Sequence, residues 1–390
     1  MKKIYLDYSA TTPVDPRVLK AMMPYFSQKF GNTMSLHSFG QEAKDALEKS
    51  RKIIADFIKA KQNEIIFTSS ATESNNLALK GIALANKDRG NHIIISSIEH
   101  PCIIESAKWL EKQGFEITRL KVDKYGLINL NDLKKAIRKD TILVSIMHAN
   151  NEIGTIEPIK EIGEIIKAVS RKLKAKIYFH TDAAQTFGKI PIDVNKMNID
   201  LLTASSHKMY GPKGAAILYI REGVKIEPIL HGGGHEFGLR SSTINIPSIV
   251  GFAEAVKICK KEMKKEAKRE IKLRDKLIKG VLKEIPGSYL NGHPKKRLPN
   301  NANFWFEKVE GESIVMELDL LGISASTGSA CSSDKLEPSH VLLAIGLKPW
   351  QAHGSLRLSI GRWTKEKDID YVLKVLPKVI NKLRKISPIK

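Results

Sequence analysis

From His180 to Lys208 the chain reads H-T-D-A-A-Q-T-F-G-K-I-P-I-D-V-N-K-M-N-I-D-L-L-T-A-S-S-H-K. A short apolar strand, Ile177 to Phe179, leads into it and delivers Asp182 and Gln185. A second run, Leu201 to Ser206, reads as another strand ending in polar residues and is closed by Lys208. An acid and a lysine thus leave the carboxyl ends of two neighbouring strands, as a pyridoxal phosphate site requires. The lysine amine forms a Schiff base with the cofactor aldehyde. The carboxylate keeps the pyridine nitrogen protonated, which makes the ring an electron sink. Taken singly, Asp182 reads as a strand-end cap and Lys208 as a solvated lysine, so the surroundings must carry the case.

Upstream, short apolar strands alternate with helical periods. Ile65 to Phe67, Ile93 to Ser96, Glu116 to Val122 and Ile142 to Met147 are strand-like. Gln41 to Ala60, Thr72 to Ala85, Ile103 to Gln113, Leu130 to Ile137 and Ile159 to Leu173 are helical. This rhythm implies a largely parallel sheet covered on both faces. After Gly251 the pattern changes to a long helix reaching about Glu284, then a Gly/Pro/basic loop from Pro286 to Pro299. Phe304 to Phe306, a helix from Gly311 to Leu321, a loop around Cys331, the strand Leu356 to Ile360 and a closing helix from Lys365 follow. The expected fold class is α/β. A large domain spans residues 16–250, and a smaller α+β domain takes 1–15 together with 251–390.

Composition narrows the function classes. No apolar run approaches the roughly 20 residues of a membrane span. The opening M-K-K-I-Y-L-D lacks a signal peptide's apolar stretch, so the cytoplasm is expected. Three cysteines, Cys102, Cys259 and Cys331, form no C-x-x-C pair or disulfide framework, which fits a reducing compartment. The net charge of +22 raises nucleic acid as a partner. Its densest run, Lys260 to Lys279, interleaves acids with lysines at helical spacing and reads as an amphipathic helix with a solvated basic face. Lysines are spread through every other segment too, as on hyperthermophile surfaces. Direct nucleic-acid binding is therefore not expected.

Several stretches carry chemistry. E-I-I-F-T-S-S-A-T-E-S-N-N-L ends a strand in hydroxyl residues and opens a helix near Thr72; free N–H groups there make an anion cradle, or a plain N-cap. In I-E-H-P, His100 follows a strand end and could stack on a planar cofactor, or pack as a loop histidine. In M-H-A-N-N-E-I-G, Asn150 could donate to a phenolic oxygen or a carboxylate, or simply close a turn. Cys331, in S-T-G-S-A-C-S-S-D-K-L-E-P, lies in a stretch too small and polar for a core, whereas Cys102 and Cys259 sit among apolar helix residues and read as core thiols.

D-Y-S-A-T-T-P-V-D-P-R, T-S-S-A-T-E-S-N-N-L, S-I-M-H-A-N-N-E-I-G, H-T-D-A-A-Q, S-S-H-K-M-Y-G-P-K-G, H-G-G-G-H-E, G-S-A-C-S-S and E-P-S-H-V-L, in this order from Ile4 to about Leu383, resemble the NifS/IscS-type cysteine desulfurases. These are fold-type I pyridoxal phosphate enzymes of the class V aminotransferase superfamily. The resemblance implies pyridoxal 5'-phosphate as cofactor, with Lys208 as the Schiff-base lysine, Asp182 on the pyridinium nitrogen, Gln185 on the phenolic oxygen and His100 stacked on the ring. Ala71, Thr72, Ser205, Ser206 and His207 are then the phosphate ligands, and Thr243 reaches the phosphate of the other subunit of a homodimer. Arg357 and Asn150 would clamp the carboxylate of L-cysteine, with Asn32 also on the substrate side. A guanidinium fork suits a carboxylate bidentately.

Cys331 would accept the substrate sulfur as a persulfide and pass it to an iron–sulfur scaffold protein or a tRNA-thiolation protein. The long loop after it resembles the group of the family in which a flexible loop carries persulfide outward. No intrinsic metal site is implied, though Cys331 could ligate a cluster transiently with a scaffold partner. Two other readings stand: an aminotransferase or lyase of the same superfamily acting on another amino acid, and a basic scaffold that has lost catalysis and binds RNA or a partner. The chain departs from the family at Ser70, Ser206 and Ser242, where glycine is usual, and at Thr33, where proline is. The expectation is that these serines occupy backbone that never needed glycine, and that their hydroxyls add hydrogen bonds around the phosphate.

Overall fold

The computed structural model describes residues 3–328 and 337–387; Cys331 lies outside them. After β1 (Ile4–Tyr5), the first half builds a seven-stranded sheet from β2 (Ile65–Thr68), β3 (His92–Ser96), β4 (Glu116–Leu120), β5 (Thr141–Ser145), β6 (Tyr178–Asp182), β7 (Leu201–Ser205) and β8 (Ala216–Ile220). Their order is β2-β8-β7-β6-β5-β3-β4. All neighbours run parallel except β8, which is antiparallel to both β7 and β2. The sequence reading had not singled out β8, although A-I-L-Y-I is the short apolar run of a strand buried on both faces.

Strand alternation explains the two cores. Ile94 and Phe179 face one side of the sheet, while Ile93, Ile95 and Tyr178 face the other. The helix Ile159–Leu173 shows how its outer layers form: Ile159, Ile162, Ile166 and Val169 recur at helical spacing and are buried. Its last turn ends at Lys174 in the left-handed conformation (φ 51°).

A third core collects β9 (Ser288–Asn291), β10 (Asn301–Phe306), β11 (Ile323–Ser324) and β12 (Ser355–Ser359) with the helices Gly311–Leu320 and Glu366–Ile386. Its antiparallel sheet has the order β12-β10-β9, and β1 pairs in parallel with β11. The sequence reading placed β9 inside a loop, because S-Y-L-N lies among Gly, Pro and basic residues. One helix, Ile246–Glu284, serves both halves: Ile246, Phe252 and Val256 join the first core, and Leu273, Leu277 and Val281 the third. The change of core falls within this helix rather than at Gly251.

Candidate active site

A cavity of about 390 Å³ opens where the parallel strands end. In open α/β sheets that edge is where ligands bind, because helix starts and turns leave polar groups there. β2 is followed by Ser70, Ala71 and Thr72, β3 by His100, and β5 by Met147, Asn151 and Glu152. β6 ends on Asp182 with Gln185 just beyond, and β7 leads to His207 and Lys208; all of these line the cavity. Ser70 caps the helix that starts at Ala71, its hydroxyl accepting from the Glu73 N–H (3.1 Å). The N–H groups of Ala71 and Thr72 meet no acceptor among the described residues.

Asp182 is held on both oxygens. Its Oδ1 accepts from the Ala184 N–H (2.8 Å) and its Oδ2 from Asn75 Nδ2 (2.7 Å). Asn75 escaped the sequence reading; its signal was a position one helical turn beyond Ala71 and Thr72, on the face that looks at the strand ends. Asn75 also donates to the Cys102 sulfur (3.1 Å). Cys102 is therefore a wall of the cavity and not the core thiol expected from its apolar neighbours. Burial pushes its thiol up to about 12, with Asp182 adding to the rise, and Cys259 up to about 11. His100 caps its helix, its Nδ1 accepting from the Cys102 N–H (3.3 Å). Burial lowers its pKa, so it is a neutral imidazole with the proton on Nε2.

The segment Asp7–Thr12 ties these groups together. Lys208 Nζ donates to the carbonyls of Ser9 and Ala10 (2.7 Å each), and Gln185 Nε2 donates to Ser9 (3.0 Å). Thr11 Oγ1 lies 3.0 Å from His207 Nδ1, and the Thr12 hydroxyl donates to the His207 carbonyl (3.0 Å). Burial, then the nearby Lys208, Lys213 and Lys189, bring His207 down to about 4. Asp7 accepts from Arg357 Nη2 (2.8 Å).

Arg357, on β12, closes the far side. Its Nη1 donates to the carbonyls of Asn151 (3.0 Å) and Gly328 (3.4 Å), and its Nε is buried without a partner among the described residues. Glu152 stands beside it. Burial raises its pKa, and its Oε2 accepts from Ser339 Oγ (2.5 Å). His340 donates from Nε2 to the Glu99 carbonyl (3.0 Å), which leaves Nδ1 as the basic nitrogen.

Some expected residues stand elsewhere. Asn150 does not line the cavity: its amide donates to the Ile98 carbonyl (2.9 Å), and its oxygen accepts from the Glu152 and Ile153 N–H groups, so the turn consumes it and presents Asn151. Ser205 and Ser206 are buried outside the cavity wall. Ser206 Oγ has no partner among the described residues, and a Cβ on Gly211 would fall 1.9 Å from it. Glycine at 211 thus makes the room that Ser206 occupies. Asn32 and Thr243 are exposed and do not reach the cavity of their own chain. None of Ser70, Ser206 and Ser242 has a positive φ, so glycine is not required at any of them. Of the three, only Ser70 lines the cavity, and its hydroxyl caps the helix by accepting from the Glu73 N–H.

The family profile of class-V aminotransferases matches residues 4–372. The chain belongs to this family. Within it, the chain is 54% identical over 388 residues to the cysteine desulfurase IscS of Methanosarcina thermophila, covering 100% of this chain and 94% of the relative. It is 53% identical to cysteine desulfurase IscS 1 of Archaeoglobus fulgidus, covering 99% of each. Among solved structures, a NifS-like protein superposes with a TM-score of 0.91 at 38% identity, covering 98% of this chain and 100% of its own. SspA in complex with cysteine superposes at 0.82, also at 38% identity, covering 93% of this chain and all of its own.

These full-length likenesses put this class-V member among the cysteine desulfurases, and its cofactor is pyridoxal phosphate. Its residues fit that group. A lysine and an acid face each other from β7 and β6, two unclaimed N–H groups begin a helix, and Gln185 Oε1 is buried without a partner among the described residues. Among those residues no helix is long and apolar enough to cross a membrane, and no cluster of three metal-ligating side chains occurs.

Proposed function

We propose that the chain converts L-cysteine to L-alanine, passing the sulfur to Cys331 as a persulfide and then to an acceptor. The observation that carries this reading is the cavity itself. Arg357 faces Lys208 and Asp182 across it, and Gly328 and Ser339, which flank the Cys331 segment in sequence, both line it. Lys208, Asp182, Gln185, His100, Ala71, Thr72 and His207 would hold the cofactor. When bound, it supplies an electron sink for the pair left at Cα.

Arg357 takes the substrate carboxylate, aided by Asn151 in place of Asn150. The Lys208 amine, within reach of the Ser9 and Ala10 carbonyls, removes the Cα proton, and those carbonyls stabilise the resulting ammonium. The Cys331 thiolate then attacks the substrate sulfur. An S–S bond forms, the Cβ–S bond breaks with its electron pair left on Cβ, a proton delivered there completes the methyl, and Lys208 returns its proton to Cα to give alanine. Cys102 and Cys259 do not compete, because burial keeps both as thiols near neutral pH.

The enzyme acts in the cytoplasm as a homodimer, with Thr243 reaching the partner's phosphate site and Asn32 the substrate side. Its acceptor is an iron–sulfur scaffold or a tRNA-thiolation protein, with Cys331 a transient cluster ligand in the former case. Incubation with cysteine should yield alanine, sulfide and a persulfide on Cys331 by mass. Cys331→Ala should keep the bound cofactor and lose sulfur release. Wild-type turnover by that variant would sink the reading.

A further inference from the structure

The helix Ile246–Glu284 sorts its charges by face. Between residues 257 and 279 the exposed positions are eight lysines (257, 260, 261, 264, 265, 268, 272 and 279) and Ile271. The acids of the same stretch turn toward arginines or into the core. Glu262 pairs with Arg17 (2.6 Å), Glu266 with Arg269 (3.6 Å) and Asp275 with Arg274 (2.7 Å), while Glu270 is buried. Of the eight lysines only Lys257 has an ion pair among the described residues, to Glu254 (3.0 Å). The other seven form a row about 28 Å long at 1.5 Å per residue.

A thermostable surface would look different, since it works through ion-pair networks of mixed sign. Such pairs occur elsewhere on this chain, as at Lys29–Glu42 and Lys160–Glu164, and within this helix, off the exposed row, at the half-buried Lys276 with both Glu366 and Asp370. Along the row, like charges stand four apart at 260/264, 261/265, 264/268 and 268/272, each spacing unfavourable for the helix. We propose that this row is a docking surface for the phosphate backbone of a nucleic acid. Closely spaced cations along one helix face match the closely spaced negative charge of a phosphate backbone. The surface lacks what a protein partner's hot spot requires: it has no exposed aromatic residue or arginine, and lysine is depleted in protein interfaces. Without base-reading side chains, recognition is independent of sequence. The sequence reading makes this run an amphipathic helix with a solvated basic face; the fold adds that the acids of the stretch turn toward arginines or into the core.

The test is fluorescence anisotropy of the full-length, cofactor-loaded protein with a 20-base-pair duplex of random sequence, as RNA and as DNA, across a salt series. Five to seven phosphate contacts give a slope of log affinity against log salt of about −5 to −6. Replacing Lys261, Lys264, Lys268 and Lys272 by Gln should reduce the slope by about 3 to 4, with cysteine turnover and melting temperature unchanged. Lys→Glu at the same sites should abolish binding. RNA and DNA binding alike, or RNA the more tightly, support the proposal, since both are read through phosphates. It is overturned if the wild type binds neither duplex at low salt, or if the Gln variant keeps the wild-type slope. It is also overturned if poly-glutamate competes as well as duplex at equal charge, which would mark the row as a site for an acidic protein.

Discussion

Asp182 and Arg357 face one cavity but reach it by different routes. Asp182 ends a strand of the parallel sheet, is 25 and 26 residues from His207 and Lys208 along the chain, and is clamped by neighbours from the same half of the chain. Arg357 comes from an antiparallel strand of the other core and is anchored by Asp7, 350 positions away, and by the carbonyls of Asn151 and Gly328. The cofactor end is thus fixed by the sheet. The carboxylate end is fixed by contacts between parts of the chain that the sheet does not contain. The segment Asp7–Thr12 is what joins them.

The sharpest test of this contrast pairs two truncations. Lys208→Ala should abolish turnover and leave no cofactor covalently trapped after borohydride reduction; alanine formation by that variant would break the assignment of the lysine. Arg357→Ala should instead keep full cofactor content while kcat/KM for cysteine falls about 100-fold, the loss typical of removing a buried charged partner. Loss of cofactor in both would mean that the two ends are not separable.

Asp7→Ala should raise KM for cysteine about 5- to 10-fold at unchanged cofactor affinity, because one anchor of the guanidinium goes. Asp7→Asn, which keeps an acceptor, should recover most of it. A fall in KM would show instead that Asp7 competes with the substrate carboxylate. Thr11→Val should do the converse, weakening cofactor binding about 5-fold by freeing His207, with Thr11→Ser restoring it and KM at saturating cofactor unmoved. Equilibrium dialysis and steady-state kinetics on the same samples separate the two.

The smallest effect concerns pH. Burial holds the Glu152 pKa above the usual carboxylate range, so the group is neutral at low pH and gains its charge only as pH rises through the elevated value. The new negative charge beside Arg357 opposes the substrate carboxylate. The ratio of wild-type to Glu152→Gln KM should therefore climb a few-fold as pH rises beyond the usual carboxylate range. A flat ratio would mean that Glu152 does not titrate in the presence of substrate. No such limb is expected for cofactor retention, since His207 stays neutral at every pH above about 4.

What could be read from the sequence follows the same division. Thr72, His100, Asp182, Gln185 and Lys208 stand just past apolar runs, so periodicity placed them near strand ends, while the resemblance added Ala71 and their roles. Asn75 and Asn151 were one helical turn and one residue from positions already singled out. Asp7, Thr11 and Glu152 were out of reach, because their meaning depends on partners that only tertiary packing brings near. Cys102 was misplaced for a related reason: an apolar neighbourhood in sequence does not say whether the helix start borders a core or a cavity. The basic face of the long helix was legible from its helical spacing, but the partners of its acids were not, since Arg17 lies far away in sequence.

The bond between Asp7 and Arg357 also bears on how the protein is made. At roughly 5 to 20 residues per second, the ribosome adds Arg357 about 20 to 70 s after Asp7. Through that interval the strands carrying Asp182 and Lys208 can pair and pack, since their contacts are already synthesised. The leading segment meanwhile has neither the β11 edge nor the guanidinium that will receive it. A nascent chain halted before β12 would therefore carry a nearly finished cofactor pocket with no grip on the substrate. If Arg357 is the carboxylate clamp proposed above, substrate turnover waits on the synthesis of β12.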